Sequence, residues 1–349
     1  MQIFSLRFLI RFAGLASLLM FLQGCTLQEK ISFEALTPAQ LTLPSHSDRV
    51  CIFNHALRPT SDSNGVFYAF DRNLYYDSTN YDTLASNALI AGLLDGFEIS
   101  GRLTSAGEPL ILPRKSKQPA TAIQPFETLS AVCLPAQAGF ALVIENISLF
   151  DELAFQLITD NYWLLGIRVR IEADFRLYDI REQIVIDRLK IMDTLVEYKF
   201  GSDWEEVLSQ FPPREEVFAE TAYQAGKYYA SRITPGLRTH ERTYFHNGNA
   251  HLKEGHQFAA QGLWASAASR WIQAAGSKRN RLAALGAHNM AVASEMEGKP
   301  EIALFWIHQA LERKSLKKSR EMKAQLEERI PEIDLLQQQM NTNPNPAEK

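Results

Sequence analysis

Glu145, Asp151 and Glu152 are carboxylates whose spacing could set two acids at one strand end, the pairing that glycoside hydrolysis requires. Asp71, Asp77 and Asp82 lie among Tyr75, Tyr76 and Tyr81, a mixture that suits either a solvated loop with aromatic rings in the core or a loop that touches sugar or peptide. Those aspartates stand five or six positions apart, whereas a calcium loop needs oxygens at alternate positions around a glycine turn. His246, His251 and His256 recur every five residues, and on a helix each such step rotates by about 140°, so they share no face; capping or surface roles fit them better than a metal. His240-Glu241 continues as Arg242-Thr243-Tyr244 and lacks the second histidine of a zinc-peptidase helix. No phosphate-binding glycine loop, C-x-x-C or G-x-S-x-G elbow is present. The side chains therefore specify no catalytic residue, metal or cofactor, and they favour binding over conversion.

The sharpest chemistry lies at the amino end. Arg7 and Arg11 precede the uncharged run Phe12–Leu22, and at ~1.5 Å per residue that run is too short to cross a hydrocarbon core of ~30 Å. It suits a secretory signal over residues 1–24. The signal ends in Leu22-Gln23-Gly24-Cys25, which resembles a lipobox, whose thiol is acylated and whose peptide is cut before the cysteine. Covalent lipid on Cys25 would then hold the protein to a membrane, since more than one chain anchors stably. Thr26 is not the aspartate that retains such proteins at an inner membrane, so the outer membrane, on its periplasmic face, is the expected address. Export would place Cys51 and Cys133 where a disulfide is possible, but both sit in apolar runs and read as buried free thiols.

These groups need elements to hold them. With 349 residues, 46% hydrophobic and 22% charged, the chain can fold two ordinary domains. Its formal charge of −4 falls to −6 once residues 1–24 and their two arginines are removed, which argues against nucleic acid as a partner. The fold class read from the pattern is α+β. Residues 25–45 form a lipidated cysteine and extended tether, and 46–205 a mixed sheet domain with a few helices. Its strands are expected at 49–54, 97–103, 140–145, 167–178 and 183–193, its helices at 81–96 and 126–133, and loops over 55–80 and 115–125. In 167–178, Ile167, Val169, Ile171, Ala173, Phe175 and Leu177 alternate with charged residues, which assigns one face to the core and one to water. A phase change between Ile186 and Leu189 predicts a bulge in the neighbouring strand.

From Pro213 strand signals vanish, and 213–335 reads as an all-α domain with helices at 214–232, 249–261, 264–275, 280–297, 300–313 and 316–330. Residues 336–349 read as a disordered tail. Four of the helices match each other at an offset of 36. Gly262, Ala267, Trp271 and Ala274 align with Gly298, Ala303, Ile307 and Ala310, and Gly255 with Ala291. Small residues where helices cross and a large one between them resemble the tetratricopeptide repeat. His251 and Ala287 stand where that repeat has a large residue, and Arg279 and Ser315 where it has proline. Two repeats cannot bury a solenoid core alone, so 214–232 and 316–330 are expected to cap them. The resemblance implies a groove lined by Asn249, Leu252, His256, His288, Val292 and Glu295, able to hold a protein or peptide partner, or else a module that merely packs on the sheet domain.

Pro38-Ala39, Leu43-Pro44, Phe175-Arg176-Leu177-Tyr178-Asp179, Gly226-Lys227-Tyr228-Tyr229-Ala230 and Asn289-Met290-Ala291 together resemble a family of uncharacterised Bacteroidota lipoproteins, domain of unknown function 6340. That resemblance implies layout and address but no reaction. The expectation is a lipid-anchored scaffold that binds protein or peptide. The alternative is an envelope hydrolase with its site in the sheet domain.

Overall fold

The computed structural model describes residues 28–57, 67–70, 73–76, 81–114, 122–159 and 161–341. The signal segment, Cys25, Asp71, Asp77 and the chain beyond Asn341 lie outside them. The chain divides into two compact units, one made of Leu36–Arg238 with Ile333–Lys349, the other of the residues up to Ala35 with Thr239–Glu332. The class is α+β.

The sheet unit is organised by β7 (Phe140–Thr159), β8 (Tyr162–Asp179) and β9 (Ile184–Gly201), three long antiparallel strands. The other edge of β7 is shared in succession by β2 (Arg49–Asn54) and β3 (Phe67–Phe70), both parallel to it. β4 (Asn73–Tyr76) pairs antiparallel with β3, while the short β5 (Thr104–Ser105) and β6 (Leu110–Ile111) extend the sheet beside β2. Register between β8 and β9 passes from Leu177↔Asp187 to Tyr178↔Val185, so Ile186 is the extra residue where the alternation changes phase.

On one face Ile171, Ala173, Phe175 and Leu177 meet α1 (Asp82–Ser100) and α4 (Arg214–Ile233), with Leu89, Leu93, Phe218 and Tyr229 all but sealed from water. Each such side chain contributes about 1.5–3 kcal/mol when fully buried. On the other face α2 (Phe126–Cys133) covers Cys51, Phe53, Ala141, Val143 and Tyr178. Cover on both faces explains the unbroken apolar run of β7 from Phe140 to Ile144. α1 and α4 cross with their backbones touching: a Cβ on Gly92 would lie 2.0 Å from the Tyr223 carbonyl oxygen, and one on Gly226 2.0 Å from that of Leu89.

The helical unit stacks α5 (Ala250–Ala259), α6 (Trp264–Ala275), α7 (Asn280–Met296) and α8 (Pro300–Arg313) as two helix pairs. Residues matched at the offset of 36 share an environment. Gly262 and Gly298 both turn at φ +74°, and Ala267, Trp271, Ala274, Ala303, Ile307 and Ala310 are sealed from water. A Cβ on Gly255 would stand 2.2 Å from Trp271 Nε1, so the ring requires the bare backbone opposite it.

Several expectations are corrected. The tether holds a strand, β1 (Gln28–Thr37), and the all-α stretch holds another, β10 (Gly236–Phe245), which pairs with β1. β1 alternates half-buried Ile31, Phe33 and Ala35 with exposed Lys30, Ser32 and Glu34, whereas β10 does not alternate cleanly. Residues 97–103 give no strand; α1 runs on to Ser100, and Gly101 ends it at φ +63°. Within 55–80 the chain makes the β3–β4 hairpin. A short helix, α3 (Trp204–Ser209), follows β9. Helix 214–232 caps no repeat: it belongs to the sheet unit, so the domain boundary falls after Arg238. Asp174 and Arg176 are buried, not wet. The last helix, α9 (Lys317–Met340), continues through Pro331 into the expected tail, where Gln339 is buried and its side chain accepts from Ala39 N (2.7 Å) and donates to Ala39 O (3.0 Å).

Gly226→Ala should force α1 and α4 apart and lower stability by about 2–3 kcal/mol, read as a drop in urea midpoint at unchanged slope.

Candidate functional site

The residues expected to line an open groove are all occupied inside the helical unit. Leu252 and Val292 are sealed in the core with Tyr244, Phe245, Met322 and Leu326. Asn249 caps α5 by accepting from Leu252 N at 2.9 Å. The His256 ring meets the Tyr244 hydroxyl at 2.9 Å through Nδ1 and packs on His246, whose centroid is 5.0 Å away. These two histidines do meet, against the helical-wheel expectation, because His246 precedes the helix.

α7 holds β10 through its polar face. Asn289 Nδ2 donates to Phe245 O at 2.6 Å, and its Oδ1 accepts from Phe245 N at 2.8 Å, a two-point grip on extended backbone. One residue back, His288 Nε2 lies 2.7 Å from Thr243 O and its Nδ1 3.1 Å from Ser319 Oγ. Nε2 must carry the proton, since a carbonyl only accepts. Glu295 binds Arg242 through both oxygens (2.6 and 2.7 Å) and Arg329 at 2.5 Å, and both guanidiniums lie over the Phe33 ring. The groove therefore holds an extended peptide already, the chain's own residues 242–245, closed over by α9.

Burial first, and the Lys318 charge after it, lower the His288 pKa to about 4, while its bond to Thr243 O opposes the shift. Burial, then the Glu29 charge, raises Tyr244 to about 12. Neither group titrates near neutrality in the folded state.

The acids of the sheet unit do not converge. Glu145, fully buried, pairs with Arg176 at 2.7 Å; Asp151 takes both Arg214 Nε (2.5 Å) and Nη2 (2.8 Å); Glu152 meets Arg168 at 3.2 Å. Burial raises the Glu145 pKa, with Arg176 opposing. Each acid has its own arginine; Asp151 and Glu152 both line a cleft of about 190 Å³, where Arg214 holds Asp151. Asp82 begins α1. Cys51 and Cys133 are free and buried. A hydrogen bond between the thiols lowers the Cys51 pKa and, with burial, raises that of Cys133. Among the described residues no three His, Cys, Asp or Glu side chains gather as metal ligands, and no helix is long and apolar enough to cross a membrane.

A site the sequence reading missed lies at one end of the sheet. An open cleft of about 1200 Å³ is lined by both signs of charge, Asp48 and Glu127 against Arg49 and Arg181, with Gln137 and Gln183. At its edge His46 Nε2 lies 3.4 Å from Asp179 Oδ1. Asp179 is sealed from water and accepts from Arg181 N (2.9 Å) and Glu182 N (3.0 Å), so it builds the β8–β9 turn. Ser47, next to His46, accepts on Oγ from Arg49 N (3.1 Å) and Gly139 N (3.0 Å). That hydroxyl is fixed by backbone rather than offered to the imidazole. The available signal was Asp179 itself, an aspartate at a strand end opening a tight hairpin.

A family model described as a domain of unknown function, DUF8603, matches residues 48–245, and another, DUF6340, matches residues 253–331. The resemblance to domain 6340 read along the whole chain is thus confined to the helical part. No curated protein matches. Among solved structures, the PelC dodecamer from Paraburkholderia phytofirmans is 12% identical, covering 59% of this chain and 99% of that one at a TM-score of 0.20. A putative neuraminyllactose-binding hemagglutinin homolog from Helicobacter pylori is 10% identical, covering 57% and 90% at a TM-score of 0.24.

Because His288 is neutral when folded and has an ordinary pKa of about 6.5 when unfolded, the unfolded chain takes up the proton first as pH falls. Its stabilising contribution is whole above pH ~6.5 and falls by about 3 kcal/mol on reaching pH ~4. Urea unfolding of the wild type and His288→Gln across that window should show a steeper loss in the wild type; parallel curves would contradict the assignment.

Proposed function

This chain belongs to the DUF8603 family, and we propose that it is a lipid-anchored binding protein of the bacterial envelope rather than an enzyme. The anchor is Cys25, acylated after cleavage behind Gly24, with the outer membrane's periplasmic face as the address. The helical unit is a short tetratricopeptide-like module whose groove serves the protein's own architecture, so the partner binds elsewhere.

One observation carries the binding reading. The open cleft of the sheet unit presents carboxylates, guanidiniums and amides side by side, and its one oriented histidine lacks a nucleophile. Mixed charge over a wide opening suits a protein or peptide segment, whose own charges alternate, better than a polyanion. The His46–Asp179 pair is what favours the second reading, hydrolysis. Against it, Asp179 and Ser47 are both committed to backbone N–H groups.

Two experiments follow from this reading. With Cys25→Ser the protein should leave the salt-washed envelope fraction, and the wild type should yield an acylated peptide beginning at Cys25 by mass spectrometry. Sedimentation of the variant equal to wild type after the salt wash, or an unmodified cysteine, rejects the anchor. A photoreactive residue at Gln137 should crosslink one discrete envelope protein, and Arg181→Glu should reduce that adduct at least about tenfold, the loss expected when an interfacial charge is reversed. No adduct, or one indifferent to Arg181, rejects the cleft.

A further inference from the structure

Two loops at one end of the helical unit concentrate positive charge. The α6–α7 loop and the start of α7 run Lys278-Arg279-Asn280-Arg281, and the α8–α9 junction carries Arg313 at the end of α8, Lys314, and Lys317, Lys318 and Arg320 at the start of α9. Between them lies a cleft of about 510 Å³ lined by Arg279, Arg281, Lys317 and Lys318, and no carboxylate lines it among the described residues. Glu321 meets Lys318 at 2.7 Å and Lys317 at 3.8 Å. Arg279 and Arg281 have no carboxylate partner among the described residues. α7 begins at Asn280 and α9 at Lys317, so first-turn amides at the same rim add partial positive charge. Glu321 offsets one of these four cations, so the opening keeps an excess of positive charge, and an anion seated there would offset the rest.

The rest of the lining narrows the anion's identity. Phe245, Leu282 and Leu285 form an apolar floor beneath the cations, which a free phosphate would leave unused and a glycerolipid would cover. Gln28 also lines the cleft. Cys25 precedes Gln28 by three residues, a span of at most about 10 Å. If Cys25 carries acyl chains, the cleft lies beside the headgroups.

We propose that this cleft binds the phosphate of an anionic phospholipid, with the cations on the phosphodiester and the apolar floor under its glycerol and upper acyl carbons. The inference deepens the lipid-anchor reading and rests on it for the location of the bilayer. It gives the helical unit a second membrane contact, one that reads headgroup charge.

The test uses the mature chain from residue 25 onward carrying Cys25→Ser, which has neither the apolar signal segment nor the acyl site, sedimented with vesicles of phosphatidylglycerol in phosphatidylcholine or of phosphatidylcholine alone. Binding should need the anionic lipid and weaken with salt. The combined variant Arg279→Ala, Arg281→Ala, Lys317→Ala and Lys318→Ala should lose at least about tenfold in vesicle affinity, given the attraction of each cation to an anionic surface. Removing four cations of the sheet unit (Arg168, Arg188, Lys190 and Lys199) should leave it unchanged. Should the combined variant unfold, Arg281→Ala alone must still weaken binding. Equal binding to both vesicles, or indifference to the cleft cations, overturns the proposal. Saturable binding of inorganic phosphate or of an acidic peptide without vesicle binding assigns the cleft to another anion and overturns it too. Acylation of Cys25 in the wild type is read separately by mass spectrometry, so loss of the anchor and failure of the cleft are told apart.

Discussion

The Glu295 carboxylate sits between the guanidiniums of Arg242 and Arg329, with only 1% of its side chain exposed. It ties together a strand, a repeat helix and the terminal helix, so the helical unit closes around one buried charge. Taking such a charge from water costs several kcal/mol, and only close partners offset it. Two arginines on one acid leave a net positive cluster, and the Phe33 ring beneath both guanidiniums softens that excess. Asn289 and His288 then complete the grip on β10, so the strand is bound by side chains as a peptide ligand would be. The residues that would greet a partner in an open groove are the ones that hold this strand.

The same economy of charge runs through the sheet unit. Glu145, Asp151 and Glu152 each meet an arginine from a different place, and Asp179 fixes a hairpin turn. Side chains already bound in pairs are poor candidates for proton transfer, because moving a proton would break the pair. The two widest clefts described above differ in kind. One mixes charges in an open polar setting, and the other gathers cations over an apolar floor.

Much of this was legible from sequence, and the exceptions have physical causes. Period-two alternation located β8 and the bulge at Ile186, while the offset of 36 located the small–large packing around Trp271 and Ile307. β1 escaped although Ile31, Phe33 and Ala35 alternate there, because Pro38 and Pro44 beyond it make the stretch resemble a tether, and β10 escaped because its polar run Arg238–Glu241 carries no apolar period. The end of α9 escaped because Pro331 reads as a stop, though there it removes only one donor from a long helix. The groove residues were placed on the right helices with the wrong exposure. Spacing reveals a helix face, but only the distant chain, here residues 242–245 and 329, decides what covers it. The His46–Asp179 pair was unreadable for the same reason, since 133 positions separate its members.

Gln339 grips the backbone of Ala39 across a separation of 300 residues, and Arg102, buried nearby, donates to the Gln339 carbonyl. A nascent chain emerges amino end first, so Ala39 must wait for a residue made 300 positions later before its backbone groups are met. Residues 242–245 wait likewise for the helix that carries Arg329. Neither unit can close on a partial chain, and loop entropy must be met before these contacts form. The elongating chain therefore carries these backbone groups unpaired until both distant segments have emerged.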